Sequence, residues 1–436
     1  MSDDSEDRPG PADDGDDGPA PPADGGADDG TSPSGRLRAY ALTMAKTSAG
    51  ERALIALSAL VLSMLVGTVI IVVGGVIATC RTPVLTLADL TLCYDPIAVY
   101  DRLFFGALGD PLSGGWSPLN PQFAVTLRET TILVFTGLSV ALAFRAGIFN
   151  IGTQGQMVVG ALSTALGVLW IAPALSGVGG TLVLVPVGIA IGALGGGFYG
   201  AIPGALKAYA DANEVITTIM LNFVATLMVR YLVTDHFQDP TSQAVQTASL
   251  PEYAQFPAVL FDPRLDFSLL ALGFAVAVVG GVYYLLEYTT FGFDLRTAGL
   301  QPAAAEYGGV DSPRTVLASL TLSGALGGVA GAVYVLMVLG KFQTGVPSYG
   351  FDGITVSILA GNNPIGAVFA ALLFGVLKSG STVVDFATDV PPQLVGVLRG
   401  LIILFVAMPE FFRLIGRRIQ PEDTEPARAT GASTDD

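Results

Sequence analysis

Apolar residues gather into long runs along this chain, at 53 to 79, 131 to 144, 157 to 172, 181 to 206, 215 to 233, 267 to 286, 315 to 340, 364 to 377 and 394 to 408. A membrane-spanning helix needs roughly 20 largely apolar residues. Some runs are therefore full spans, and the shorter ones must borrow neighbours or form broken or re-entrant helices. The pattern predicts an all-α polytopic membrane protein with eight to ten spans. Polar residues collect at both ends, so residues 36 to 420 are read as one transmembrane domain between two tails.

Composition agrees with that solvent. Hydrophobic residues make up 51% of the chain and charged residues 13%, with a mean hydropathy of +0.60, against about 25% charged in soluble domains. The formal net charge of −16 is not spread through the body. Residues 1 to 35 hold 11 acids and a single base, and residues 421 to 436 hold five acids and one base, leaving 21 acids against 19 bases between them. Both tails are too polar to pack and are read as disordered. The N-terminal one lacks the basic n-region of a signal peptide. With 17 Arg, four Lys and abundant Asp, the balance suggests solvation in high salt, as in a halophilic microbe, although an ordinary acidic linker gives the same pattern.

Basic residues precede the first run at Arg36, Arg38, Lys46 and Arg52, sit between runs at Arg145, Lys207, Arg296 and Arg314, and follow the last at Arg413, Arg417 and Arg418. The positive-inside rule places them, and both termini, in the cytoplasm of a cell-membrane protein. Residues 80 to 122 and 234 to 265 then form external loops, with Lys341 a minor violation. Cys80 and Cys93 share the first external loop, where a disulfide and two free thiols are both possible. His236 lies alone in the second and is read as a solvated loop residue, and no metal is expected.

Several chemistries are excluded. The chain has no GxxxxGK[ST] phosphate loop and no HExxH, and its single histidine lies far along the sequence from any intramembrane serine. No catalytic residue is therefore expected, no cofactor bound by the chain itself, and no nucleic-acid partner. An ion-coupled carrier usually buries charges at mid-membrane. Here Glu129, Arg145 and Glu214 fall near predicted span ends, Asp352 follows a loop, and Arg399 either marks a path or snorkels to the interface.

The remaining intramembrane polar groups are neutral: Asn150, Gln154 and Gln156 in GIFNIGTQGQMVVGA, Asn213 and Asn222 in DANEVITTIMLNFVA, and Asn362 and Asn363 in GNNP. Each must be satisfied to offset desolvation. They either bond across helices or line a route for a polar uncharged solute, for which Asn150, Gln154, Gln156 and Asn222 are the candidates. Gly196, Gly200 and Gly204, and Gly324 and Gly328, recur four apart, which lets helix backbones approach closely.

The segment TTFGFDLRTAGLQPAAAEYGGVDSPR separates two runs. Pro302 suits a first helical turn, Ala303 to Ala305 favour helix, and Gly308 and Gly309 end it. A small cytoplasmic helix of this kind is suited to docking. FGFDLRTAGLQPAAAEYGGV resembles the conserved cytoplasmic loop of permease subunits of ABC importers in the branched-chain amino acid, ribose and nucleoside group. GIFNIGTQGQMVVGA, NEVITTIMLNFVA and GFDGITVSILAGNNPIGAVFAALLFG are similar to signatures of its simple-sugar and nucleoside branch, so the resemblance extends from about residue 123 to 410.

The resemblance implies a type II importer-like bundle with a second permease subunit, cytoplasmic ATP-binding subunits that use ATP and Mg, and an external solute-binding lipoprotein. It implies a coupling segment within residues 295 to 310, with Gln301, Pro302, Ala304, Glu306 and Tyr307 facing the ATPase. The acidic first 35 residues and the long loop 80 to 122 depart from the family pattern. Glycine and amides at 150 to 156 suggest a broken helix start, and GFDGITV at 350 to 356 offers a similar start in the second half of the chain. An ion-coupled carrier is the alternative from another class, and a passive channel a third.

Overall fold

The computed structural model describes residues 49 to 407, apart from 79, 81, 82, 88, 89 and 113. The tails at 1 to 35 and 421 to 436, and the flanking basic residues Arg36, Arg38, Lys46, Arg413, Arg417 and Arg418, lie outside the described residues. The chain divides into Met1–Ile55, described only from Ala49 onward, and Ala56–Asp436, which holds the helical bundle.

Helix α1 spans Ala49–Ile77. A short hairpin, β1 (Leu85–Leu87) with β2 (Leu90–Leu92), leads to α2 (Pro96–Phe104). The long α3 runs Pro121–Arg145; Asn120 starts it by accepting from Phe123 N at 2.8 Å, with Pro121 in the first turn, where a missing N–H costs nothing. Next come α4 (Thr153–Ile171), α5 (Gly177–Ala210) and α6 (Glu214–Leu232), the last capped by Asn213. After a long loop, α7 (Leu269–Tyr288) is followed by the short α8 (Thr290–Leu300) and α9 (Pro302–Tyr307). Helix α10 (Ser312–Val333) continues with π geometry to Leu339. The half-helix α11 (Tyr349–Leu359), α12 (Pro364–Ala387) and α13 (Pro392–Ala407) complete the described chain.

Among the described residues, eight helices are long and apolar enough to cross a membrane, with α13 as a shorter apolar helix. Two of them form the centre. The apolar windows of α3 and α10 are 83% and 78% buried, against 22% for α1 and α6. Around α3, Ile132, Leu133, Phe135 and Leu138 pack with Leu320 and Val356 in the largest core cluster.

Glycines set a close crossing of α5 and α10. A methyl on Gly200 would come within 2.5 Å of Leu320 O and 2.9 Å of Gly324 Cα. The spacing of four along α5 meets the spacing of four along α10, so the backbones touch where side chains would have held them apart.

The short runs 131 to 144 and 364 to 377 borrow neighbours, as their length requires, because polar caps at Asn120 and Asn363 start α3 and α12 and hydrogen-bonded polar side chains are tolerated inside both. Two placements need correction. Glu129 is in the third turn of α3 and not near a span end. Asn213 and Asn363 are helix caps; Asn363 Oδ1 accepts from Ile365 N at 2.9 Å.

Candidate functional site

The polar stretch after α3 is built by a chain reversal. Gly147 adopts φ 71°, residues 148 to 152 are irregular, and α4 starts only at Thr153. A helix start leaves backbone N–H groups without intrahelical partners, and the amides supply them. Asn150 Oδ1 accepts from Gly152 N at 2.9 Å, and Asn222 on α6 accepts from Gly155 N at 2.7 Å while donating to Ile151 O at 3.0 Å. Asn150 Nδ2 spends its two hydrogens on Gln156 Oε1 at 3.0 Å and Ser323 Oγ at 2.7 Å. Ser323 in turn donates to Ser139 O at 2.6 Å, tying α10 to α3.

Gln154 reaches the second broken start. Its Oε1 accepts from Gly350 N, in the first turn of α11, at 2.8 Å, and its Nε2 donates to Pro347 O at 3.0 Å. All four amides are buried. Gln154 alone among them borders a cleft, of about 350 Å³, whose lining includes Thr226 and Arg230 of α6 and Thr344 of the loop before α11.

A charged cluster also meets the first turn of α11. Tyr349 Oη donates to Glu129 Oε2 at 2.7 Å, and Glu129 Oε1 faces Arg128 Nη2 at 3.2 Å. Lys378 of α12 reaches Asp352 Oδ2 at 3.1 Å and Glu129 Oε2 at 3.8 Å, with its Nζ 3.5 Å from the centre of the Tyr349 ring. Two carboxylates and two cations close a compact network in which each charge has an opposite neighbour, the condition under which ions are tolerated away from water. Arg128 extends it to Asp266, 3.7 Å away in the loop before α7. Burial pushes the Asp266 carboxyl up from its ordinary value, against the opposing pull of Arg128.

At the opposite end of α3, the two short helices form a knob. Ala305 is buried and anchors α9, whereas Gln301, Pro302, Ala304 and Glu306 are exposed and Tyr307 is 97% exposed. Gly308 caps the helix and Gly309 turns the chain at φ 89°. In the loop after α1, Cys80 and Cys93 are joined as a disulfide with Cα atoms 5.7 Å apart.

Comparison with known proteins decides the family. Residues 122–407 match the model of the branched-chain amino acid transport system permease component. The chain belongs to this permease family. The permease is 34% identical over 368 residues to the nucleoside ABC transporter permease protein NupB of Lactococcus lactis, covering 82% of this chain and 91% of that protein. It is 34% identical to the guanosine ABC transporter permease protein NupP of Bacillus subtilis, covering 83% and 95%. It is also 31% identical to the glucose ABC transporter permease protein TsgB13 of Haloferax volcanii, covering 80% and 93%. No solved structure matches the permease.

The charged cluster is hidden in the sequence for a simple reason. The apolar run 364 to 377 stops one position before Lys378, and the run 131 to 144 starts two positions after Glu129. The available signal was an isolated Lys followed, five and six residues on, by two Val, which continues the apolar pattern past the charge.

Proposed function

We propose that this permease is the membrane-spanning subunit of an ATP-driven importer for a nucleoside or a simple sugar in the cell membrane, with both termini in the cytoplasm. The observation that carries the reading is similarity along nearly the whole length of permeases named for nucleoside, guanosine and glucose transport. The 31% identity to a Haloferax protein also supports a halophilic archaeal source.

The geometry supports the assignment of parts. Gln154, Thr226, Arg230 and Thr344 line one side of a translocation path, offering hydrogen bonds that a polyol can exchange for those to water. Asn150, Gln156 and Asn222 hold the broken helix starts that shape this path. The cleft opens beside α6, whose Met220, Phe223 and Leu227 are exposed, and a second permease subunit completes the path there. The exposed Tyr307 knob docks into a cytoplasmic ATP-binding subunit, which supplies the ATP and Mg chemistry. An extracytoplasmic solute-binding lipoprotein delivers the solute to the opposite face.

Coupling to an ion gradient would call for a charge that gains and loses a partner. Glu129 and Asp352 are instead neutralised by Arg128 and Lys378 within the bundle. The test is uptake of labelled nucleosides, competed by simple sugars, in vesicles holding the permease with its partner subunits. Uptake that requires ATP and survives collapse of ion gradients is expected. Gradient-driven uptake by the permease alone would overturn the reading.

A further inference from the structure

The half-helix α11 is gripped at both ends. At its start, Gly350 N donates to Gln154 at the cleft, and Tyr349 and Asp352 engage Glu129 and Lys378. Along its length it lies against α3, where a methyl on Gly353 would come within 2.7 Å of Thr136. Beyond its end the chain turns tightly through Gly361 at φ 61° and Asn362 at φ 56°. Ser357 Oγ donates to Asn362 Oδ1 at 2.9 Å, and the Asn362 amide N–H donates to Ser357 O at 2.9 Å, so the turn moves with the helix.

Arg145, the last residue of α3, holds that turn. Its Nε donates to Asn362 O at 2.9 Å, while its Nη1 lies 3.6 Å from Glu287 Oε1 at the end of α7. The other oxygen of Glu287 accepts from Arg296 of α8 at 2.5 Å. Helix α8 is held against the same corner by backbone, since a methyl on Gly299 would come within 2.6 Å of Arg145 O. One residue, Gln301, separates α8 from α9, so the exposed knob has little slack relative to Arg296. A guanidinium is suited to this position because it presents several donors in one fixed plane and can hold a carbonyl and a carboxylate together.

We propose that Arg145 is a positioning residue for energy coupling. Together with Glu287 it links the knob at Tyr307 to α11, so that displacement of the knob by a partner reaches Gly350 and Gln154 at the cleft. The proposal rests on the importer reading above. Ion pairs as exposed as Arg145–Glu287, at 27% and 28%, add little to stability. Their removal is thus expected to spare assembly and to affect transmission, which requires a continuous series of contacts between the two sites.

The experiment uses the complete importer in proteoliposomes, with solute moved and ATP hydrolysed measured in the same vesicles. Arg145→Gln and Glu287→Gln are each expected to lower the solute moved per ATP about tenfold, within the usual range for coupling between sites, with KM for solute unchanged. The double variant is expected to lose no more than either single variant, because two links in series fail together. Arg145→Lys, which keeps a cation facing Glu287, recovers part of the ratio. An unchanged ratio in Arg145→Gln, or fully additive losses in the double variant, would overturn the relay. So would loss of assembled complex in Arg145→Lys as well as Arg145→Gln, since the role would then be structural. A wild-type complex without ATP-driven uptake would overturn the importer reading itself, whereas normal wild-type uptake with an unchanged variant ratio overturns only the relay.

Discussion

Tyr349 donates a 2.7 Å hydrogen bond to Glu129 across 220 residues of chain, from the first turn of a half-helix to the third turn of a central span. Lys378 stands over the same tyrosine ring and completes the charge balance with Asp352. The pairing and the Gln154 bond to Gly350 together hold the start of α11.

Removing the cation alone leaves two carboxylates facing each other in the bundle. Lys378→Met is expected to cost about 3 kcal/mol, as for other buried pairs broken on one side, read as a lower midpoint of thermal unfolding in detergent. Adding Asp352→Asn should restore most of it, because Glu129 retains Arg128 and Tyr349. Equal destabilisation in the single and double variants would refute this account of the cluster.

The glycine crossing gives an internally controlled comparison. Gly200→Ala drives a methyl into the α10 backbone and is expected to destabilise by about 1 to 3 kcal/mol. Gly280→Ala on α7 meets nothing within 4 Å and is expected to be neutral or stabilising, since alanine is the better helix former. Denaturation midpoints of the two variants, measured side by side, check the contrast.

The amides are expected to separate by role. Asn222→Ala leaves Gly155 N and Ile151 O without partners at the buried start of α4, at about 1 to 3 kcal/mol for each unsatisfied group. Its main effect should be less assembled protein. Gln154→Ala also frees Gly350 N and Pro347 O, but at a position bordering the cleft, where water can replace the lost partners, so it should instead lower uptake per assembled complex several-fold. Quantifying purified complex alongside initial uptake rates distinguishes the two outcomes.

The exposed aromatic of α9 tests docking. Tyr307→Asp removes a side chain that touches almost nothing within this chain, so folding should be unaffected. Solute-stimulated ATP hydrolysis by the reconstituted complex is expected to fall at least several-fold. Unchanged stimulation would remove α9 from the interface.

Non-reducing peptide mapping should recover residues around Cys80 and Cys93 as one linked species. Reduction opens a loop with a sequence separation of 13 residues. A loop of that size is worth up to about 3 kcal/mol in the chain-entropy model. The expected readout is faster proteolysis between residues 80 and 120 with a modest loss of uptake.

The sequence by itself determined the solvent and the punctuation of this chain. Apolar runs of spanning length require that backbone groups be paired within helices. Pro302 and Gly308 mark α9 because proline suits a helix start and glycine a helix end, and glycine spacing on α5 and α10 marks the close crossing. These are local signals, readable within a few residues. Only the tertiary structure decided which polar groups meet. The spanning helices are apolar nearly all round, so no face announces its neighbour, and Glu129 with Tyr349, Gln154 with Gly350, and Arg145 with Asn362 are joined across about 200 residues. Whether a buried amide holds a backbone or borders a cleft depends on what lies within about 3 Å of it, and that distance is set by packing and not by spacing along the chain.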